Sequence, residues 1–260
     1  AVKAGAVVID NSSAFRMDPE VPLVVPEVNP QAILKHKGII ANPNCSTIIM
    51  VMALKPIYDL AKIKRVIVST YQAVSGAGKE GIDELDAQVR EHSEGREMTA
   101  NILPSASAEK HYPIAFNLIP QIDVFCDNLY TKEEMKMVNE TKKIMEDYEM
   151  RITATTIRVP VYRSHSESVN IELEKEVDLG AMREALAKFP GVTVQDDPSK
   201  QEYPMPLYTS EKDDVYVGRL RRDESCEKSY NMWVVGDQIR KGAALNTLQI
   251  AETMIKNGWI

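Results

Sequence analysis

The sequence predicts an α/β beginning that runs into a larger α+β unit built on a mixed sheet. Two observations carry that expectation. Short apolar strands alternate with helical patterns near the start, as in a parallel-sheet fold. Further on, consecutive strands of alternating pattern fall at 152–162, 168–174, 215–220 and 230–235. The boundary between the two parts is drawn at Cys45, with no flexible linker, internal repeat or low-complexity tract anywhere.

Each element has a local cause. Residues 1–4 read as the tail of a helix stopped by Gly5, followed by a buried strand at 6–9 and a turn through Asn11-Ser12-Ser13. The stretch 21–28 is punctuated by Pro22 and Pro26, and 38–41 is another short strand. Asn42-Pro43-Asn44 then leads into a helix with Ile48, Ile49, Met52 and Tyr58 on one face. A strand at 66–74 ends in the turn Ser75-Gly76-Ala77-Gly78. An amphipathic helix over 79–94 points Ile82, Leu85 and Val89 inward. Thr131-x-x-Glu134 is a capping box that opens a helix to about Asp147. Asp178 caps a helix ended by Gly191, and a last helix over 243–257 stops at Gly258.

The chain has 260 residues, 31 basic against 38 acidic, and a net charge of −7. That length is ample for a real core, and 44% hydrophobic with 27% charged is ordinary globular composition. An acidic balance argues against nucleic acid or an anionic membrane as partner. The longest apolar run, 48–54, is far short of the ~20 residues a spanning helix needs. Cys45, Cys126 and Cys226 are odd in number, distant and without a CxxC pair, which points to a reducing, cytoplasmic setting. His36, His92, His111 and His165 show no metal-ligand spacing, so no metal is expected.

Cys45 is the sharpest candidate for chemistry. It stands at a strand-to-helix junction, where unpaired N–H groups and the helix dipole favour a thiolate and a lowered pKa. The bland alternative is a small buried hydrophobe. Cys126 and Cys226 lack that setting. A thiolate catalyst needs a base within reach, and His165, among Ser164, Ser166 and Ser168 on a strand, is the candidate. It reads equally as a satisfied polar side chain. His111 and His92 look structural or solvated.

At this point a family resemblance enters. Asn42-Pro43-Asn44-Cys45-Ser46-Thr47, the run Ser69-Thr70-Tyr71-Gln72-Ala73-Val74-Ser75-Gly76-Ala77-Gly78, and Arg158 with His165 seven residues on resemble the aspartate-semialdehyde dehydrogenases. The segments VVIDNSSAFR (7–16), PLVVPEV (22–28), HYPIAFNLIPQID (111–123) and GAALN (242–246) fit as well, so the likeness runs in order along the whole chain. It implies NADP-dependent interconversion of L-aspartate 4-semialdehyde plus phosphate with 4-aspartyl phosphate, in lysine, diaminopimelate, threonine and methionine biosynthesis. By position, it makes Cys45 the nucleophile, His165 the acid/base and Gln72 the group that orients the acyl intermediate. Arg158 then clamps the substrate carboxylate, Arg16 and Lys136 hold phosphate, and Glu133 meets the substrate amino group. Ser75, Gly76 and Gly78 lie against the nicotinamide side of the cofactor, with Gln238 or Asn246 nearby. For Arg16 and Lys136 the reading from the residues alone is a solvated surface charge.

The implied fold is a Rossmann-type nucleotide domain joined to a catalytic domain like that of glyceraldehyde-3-phosphate dehydrogenase. Residues 1–44 form the C-terminal part of the nucleotide domain, 45–240 the catalytic and dimerisation domain, and 241–260 a helix returning to the first. One departure stands out: the family's Gly-rich G-x-x-G-x-x-G turn, which holds the cofactor pyrophosphate, is not found in the sequence. With no Met at position 1 and a start inside a helix–strand unit, the chain is expected to lack an N-terminal piece, and alone to bind NADP weakly. Alternating apolar faces at 168–174 and 230–235 predict a homodimer, with a tetramer possible. The rivals are an N-acetyl-γ-glutamyl-phosphate reductase, disfavoured by Glu133/Lys136 and the Asn-Pro-Asn-Cys-Ser-Thr motif, a cofactor-free Cys–His hydrolase, and a catalytically silent dimerisation fragment.

Overall fold

A computed structural model describes residues 1–106 and 108–260. At the N-terminus, a single 3-10 turn over Val2–Ala4 is closed by Gly5 in the left-handed region. It precedes β1 (Val8–Asp10), which pairs in parallel with β2 (Ile39–Ala41) as a two-stranded sheet. The proline-punctuated stretch between them forms no regular strand; a bridge from Leu23 to Ala41 ties it to the sheet, and Val24 and Ile33 pack with Ile40.

Helix α1 (Cys45–Leu60) starts where β2 ends. The sequence suggests one apolar face, but α1 is buried around most of its circumference, from Ser46 through Leu54 and again at Pro56 and Ile57. Layers on several sides explain this. It packs against α3 (Lys132–Ile144), α4 (Leu179–Lys188), the 240–244 turn and the main sheet. That helix is the centre of the largest core, where each fully buried Ile, Leu or Met contributes about 1.5–3 kcal/mol of transfer free energy.

The main sheet has six strands in the order β4-β3-β5-β8-β7-β6. These are β3 (Ile63–Gln72), β4 (Arg151–Arg158), β5 (His165–Leu173), β6 (Val192–Val194), β7 (Val215–Arg222) and β8 (Ser229–Gly236). β3 runs parallel to β4 and antiparallel to β5, β8 is antiparallel to both β5 and β7, and β6 is parallel to β7. The expected mixed sheet is therefore present; the three-residue edge strand β6 and the single-turn helix α5 (Pro206–Thr209) had no signal strong enough to read. Register sets the faces. Val66, Val68, Thr70 and Gln72 share one side with Ile171, Val169, Glu167 and His165, towards α1. Ile67, Ser69 and Tyr71, with Ser168 and Trp233, share the half-exposed other side.

Helix α2 (Lys79–Ser93) differs from its expected orientation. Leu85 is buried, but Val89 is exposed and the inward positions are Gly81, Glu84, Leu85 and Gln88. The polar pair is turned inward by need. Glu84 accepts from the N–H groups of Asn101, Ile102 and Leu103, and Gln88 from those of Ile114 and Ala115, groups that no regular element satisfies. At α3 both hydrogen bonds of the Thr131/Glu134 capping box are present. The C-terminal segment passes through a π-turn at Arg240–Ala244 into α6 (Leu245–Lys256), which packs on the two-stranded sheet. Among the described residues no helix is long and apolar enough to cross a membrane.

Candidate active site

The ends of α1, β3, β4 and β5 meet at one cleft of about 540 Å³. Cys45 is the first residue of α1. Asn44, the N-cap, accepts from the Thr47 N–H through Oδ1 at 3.2 Å and donates from Nδ2 to Glu133 Oε1 at 2.9 Å. Asn42 is held from both sides, donating to Asn11 Oδ1 and accepting from Asn246 Nδ2, each at 2.7 Å. The Asn-Pro-Asn run is thus a bracket that fixes where α1 begins.

His165 opens β5 and is fully buried. Its Nε2 lies 3.6 Å from Cys45 Sγ and 3.4 Å from Gln72 Nε2. Its Nδ1 accepts the Ala73 backbone N–H at 3.0 Å. In a neutral imidazole that bond assigns the ring proton to Nε2, the nitrogen facing the sulfur. Gln72 ends β3, donates to Glu133 Oε1 at 3.3 Å and accepts from Thr70 Oγ1 at 3.0 Å.

Arg158, at the end of β4 and 3% exposed, donates from Nη1 to the Ala73 carbonyl at 2.7 Å. Among the described residues its Nε is buried without a hydrogen-bond partner and it makes no ion pair. A buried, uncompensated guanidinium is costly unless an anion completes it. Arg16 also faces the cleft. It donates from Nε to Asn42 O at 2.9 Å, from Nη2 to Asn11 O at 3.2 Å and from Nη1 to Glu140 Oε1 at 3.3 Å. Lys136 sits between Asp123 Oδ2 at 2.9 Å and Glu133 Oε2 at 3.1 Å. Burial opposes its charge, but the two carboxylates hold its ammonium above the usual lysine range.

Electrostatics correct one expectation. The thiol of Cys45 is not lowered: burial, with the Glu133 carboxylate next in size, pushes it up to about 12. The Ser46 N–H, Arg158 and Arg16 act in the opposite direction and are outweighed. The helix-start rule assumes an exposed terminus, whereas here Cys45 lies against Gly242, its sulfur is 3.6 Å from His165 Nε2, and the Glu133 carboxylate acts on it. His165 in turn is held well below the ordinary histidine range, by burial first and Arg158 second. At neutral pH the resting pair is a neutral thiol beside a neutral imidazole.

The cleft brings together Cys45, Gln72, Ser75, Gly76, Glu133, Lys136, Arg158, Arg16 and Gln238, with His165 behind the sulfur. Ser75 Oγ accepts from Gln238 Nε2, and Gln238 Oε1 accepts from the Ser164 N–H at 2.9 Å. Besides His165, two expected residues lie outside the cleft lining. Gly78 takes φ +84° as the residue before α2. Asn246 is fully buried and braces the scaffold, donating to Val24 O and Asn42 Oδ1 and accepting from Lys241 Nζ. Glu140 was not singled out from the sequence. Its spacing from Lys136 and Glu133, one and two turns back along the same face of α3, is the signal that points to it.

Comparison with known proteins fits this geometry. The family model described as "Semialdehyde dehydrogenase, dimerisation domain" matches residues 54–241, and the one described as "Semialdehyde dehydrogenase, NAD binding domain" matches 1–36. An aspartate-semialdehyde dehydrogenase of Aquifex aeolicus is 57% identical over 260 residues, covering 99% of this chain and 75% of its own length. The chain belongs to the aspartate-semialdehyde dehydrogenase family. A family member from Vibrio cholerae, solved in complex with ASA, superposes with a TM-score of 0.93 at 47% identity, over 98% of this chain and 74% of that one. The aspartate-semialdehyde dehydrogenase of Candida albicans, solved with NADP, gives 0.74 at 25% identity, over 100% and 73%. The chain therefore spans about three quarters of the length of these relatives. Family membership makes it an oxidoreductase of amino-acid biosynthesis that works with a nicotinamide cofactor.

The cleft wall suits such a ring. Gly76, Ala77, Gly242 and Ala243 line it with small residues beside Cys45. The glycines cannot be replaced cheaply: a Cβ on Gly76 would stand 2.7 Å from Arg158 Nη1, and one on Gly242 would stand 2.9 Å from Cys45 Cβ.

Proposed function

We propose that this chain carries the catalytic machinery for phosphate- and NADP-dependent interconversion of L-aspartate 4-semialdehyde and 4-aspartyl phosphate, through a thioester on Cys45. The observation that carries the reading is the buried Arg158 fork, without an anion of its own, opening on the cleft beside a Cys45–His165 pair. An amino acid's α-carboxylate completes that fork with paired charge-assisted bonds, and this fixes the side-chain carbonyl near the sulfur.

In the reductive direction, Cys45 Sγ attacks the acyl phosphate: the S–C bond forms as the C–O bond to phosphate breaks, and the thiol proton leaves with the phosphate, as hydrogen phosphate, towards Arg16 and Lys136. His165 is the acid/base, and its Nε2–H bonds the charge that develops on the carbonyl oxygen and on the sulfur. Gln72, fixed by Thr70 and Glu133, keeps the acyl group in one orientation. Glu133 offers a carboxylate to the substrate's ammonium group. Ser75, Gly76 and Gln238 are the chain's contacts to the nicotinamide end of the cofactor, which supplies hydride chemistry when bound. Gly78 and Asn246 serve that site through the backbone around it. NADP is preferred to NAD on the family resemblance.

The proposed division is residues 1–44 as nucleotide-domain structure, 45–240 as the catalytic and dimerisation unit, and 241–260 as the returning helix. The open sheet face, with Ile67, Tyr71 and Trp233 half-exposed, is proposed to meet its twin in a homodimer that can pair again into a tetramer. The work is proposed to be cytoplasmic, at the branch leading to lysine, threonine and methionine.

Steady-state kinetics with aspartate semialdehyde, phosphate and NADP, on the enzyme at its relatives' full length, test the assignment. His165→Ala lowers kcat by about 10²–10⁴-fold with little change in KM. Arg158→Ala chiefly raises the semialdehyde KM. The opposite pattern means that the two roles are exchanged, and phosphate-independent turnover rejects the reaction.

A further inference from the structure

Glu140 lies beyond Glu133 and Lys136 on the cleft side of α3, at spacings i, i+3 and i+7. Its side chain is 2% exposed and is not among the cleft-lining residues. Oε2 accepts the peptide N–H of Asn44 at 2.6 Å, and Oε1 accepts from Arg16 Nη1 at 3.3 Å. Asn44 is the N-cap of α1 and immediately precedes Cys45. One carboxylate therefore ties the start of the nucleophile's helix to a guanidinium that faces the cleft.

Donor counting shows what this tie leaves free. A guanidinium has five N–H donors. Asn42 O takes the one on Nε, Asn11 O one on Nη2 and Glu140 one on Nη1. Two donors remain, one on each terminal nitrogen, and they are open to oxygens of an oxyanion in the cleft.

We infer that Glu140 is a positioning residue: it holds the Arg16 fork at a set distance from Cys45 Sγ and so governs affinity for phosphate without touching it. The inference rests on the reading of Arg16 as a phosphate contact. Only a carboxylate suits both bonds, because each of its oxygens accepts. An amide has one accepting atom and turns an N–H towards either Asn44 N–H or Arg16 Nη1–H. The tie also titrates. Burial pushes the Glu140 carboxyl up to about 7, with Arg16 and the Asn44 N–H lowering it and Glu133 raising it further. The ionisable groups facing it are Arg16 from the segment after β1 and Glu133 and Lys143 from α3 itself.

Titration calorimetry of this chain with inorganic phosphate, and separately with aspartate semialdehyde, decides the matter. Glu140→Gln raises the phosphate Kd about tenfold or more, since small misplacement of a binding group is that costly, and moves the semialdehyde Kd by less than about twofold. Glu140→Asp, which keeps the charge, recovers part of the loss and serves as well if the Gln variant melts early. In an Arg16→Ala background Glu140→Gln adds nothing. Phosphate binding by the wild type strengthens between about pH 6 and 8 more than in Glu140→Gln, phosphate's own titration being common to both. Wild-type affinity in Glu140→Gln alongside a weakened Arg16→Ala overturns the positioning role alone. Unchanged affinity in Arg16→Ala, or no phosphate binding by the wild type, overturns the reading of Arg16 and the inference with it. Equal weakening for both ligands shows a general structural role and also overturns it.

Discussion

Replacing Glu133 with Gln should make Cys45 more reactive while making the enzyme worse. The Glu133 carboxylate stands behind only burial among the causes that raise the thiol to about 12. Oε1 is bonded to Asn44 Nδ2 at 2.9 Å, on the residue before Cys45, and a separation of roughly 6 Å between charge and sulfur sets the scale. Two negative charges at that distance repel by about 3 kcal/mol at an effective dielectric of about 20, or about two pKa units. Lys136, 3.1 Å from Oε2, offsets part of this, so a net fall of about one unit is expected. Well below the thiol pKa, one unit is about a tenfold rise in thiolate and hence in alkylation rate. The assay is iodoacetamide labelling at several pH values, read by peptide mapping, with exposed Cys226 as internal reference. Cys226 labels before Cys45 in the wild type, and the gap narrows about tenfold in Glu133→Gln. An unchanged or widened gap refutes the electrostatic account. Rapid wild-type labelling of Cys45 at neutral pH refutes the raised thiol.

Gly76→Ala places a methyl 2.7 Å from Arg158 Nη1 and 3.3 Å from His165 Cε1, so kcat/KM falls about 10²-fold or more while the melting temperature hardly moves; equal activity shows the contact to be soft. Glu167 is fully buried, among the described residues both its oxygens lack partners, and burial holds its carboxyl well above the usual range. Its folded pKa is raised, so its contribution is complete below the unfolded value near 4.5 and is lost as pH rises towards the folded one. Glu167→Gln therefore raises Tm by several °C at about pH 8 and little at about pH 4, and a pH-independent effect rejects this. Trp233→Glu, on the open sheet face where Tyr71 packs at 5.4 Å between ring centroids, lowers the light-scattering mass from about twice 29.1 kDa to the monomer value. A wild type that is monomeric at micromolar concentration refutes the proposed interface.

What could be read from the sequence divides along the range of the forces involved. The Thr131/Glu134 box, the Asp178 cap and the Gly5 stop are bonds over two to four residues, and each stands where the sequence places it. Cys45, Gln72, Arg158 and His165 are brought together because each lies at the end or start of an element whose periodicity is plain. Val89 defeats the same logic: two polar residues on α2 are needed inward to satisfy backbone donors of a distant loop, and the apolar one is left outside. The family resemblance makes Gly76 a cofactor contact, yet its missing Cβ also makes room for Arg158, 82 positions away, which no local pattern reports.

The Asn-Pro-Asn run explains why the thiol departs from the helix-start rule. As local chemistry it is a helix start, and a helix start favours an anion. But its asparagines reach partners 31, 89 and 204 residues distant, and those partners close protein around the sulfur. One of them, Glu133, brings the charge that most opposes a thiolate. A cysteine stored as a neutral thiol resists stray oxidation and alkylation, because the thiolate is the reactive form. The same carboxylate is the one that a substrate ammonium would neutralise on arrival. Reactivity would then rise as the amino acid binds, which couples the nucleophile's activation to the occupancy of its own site.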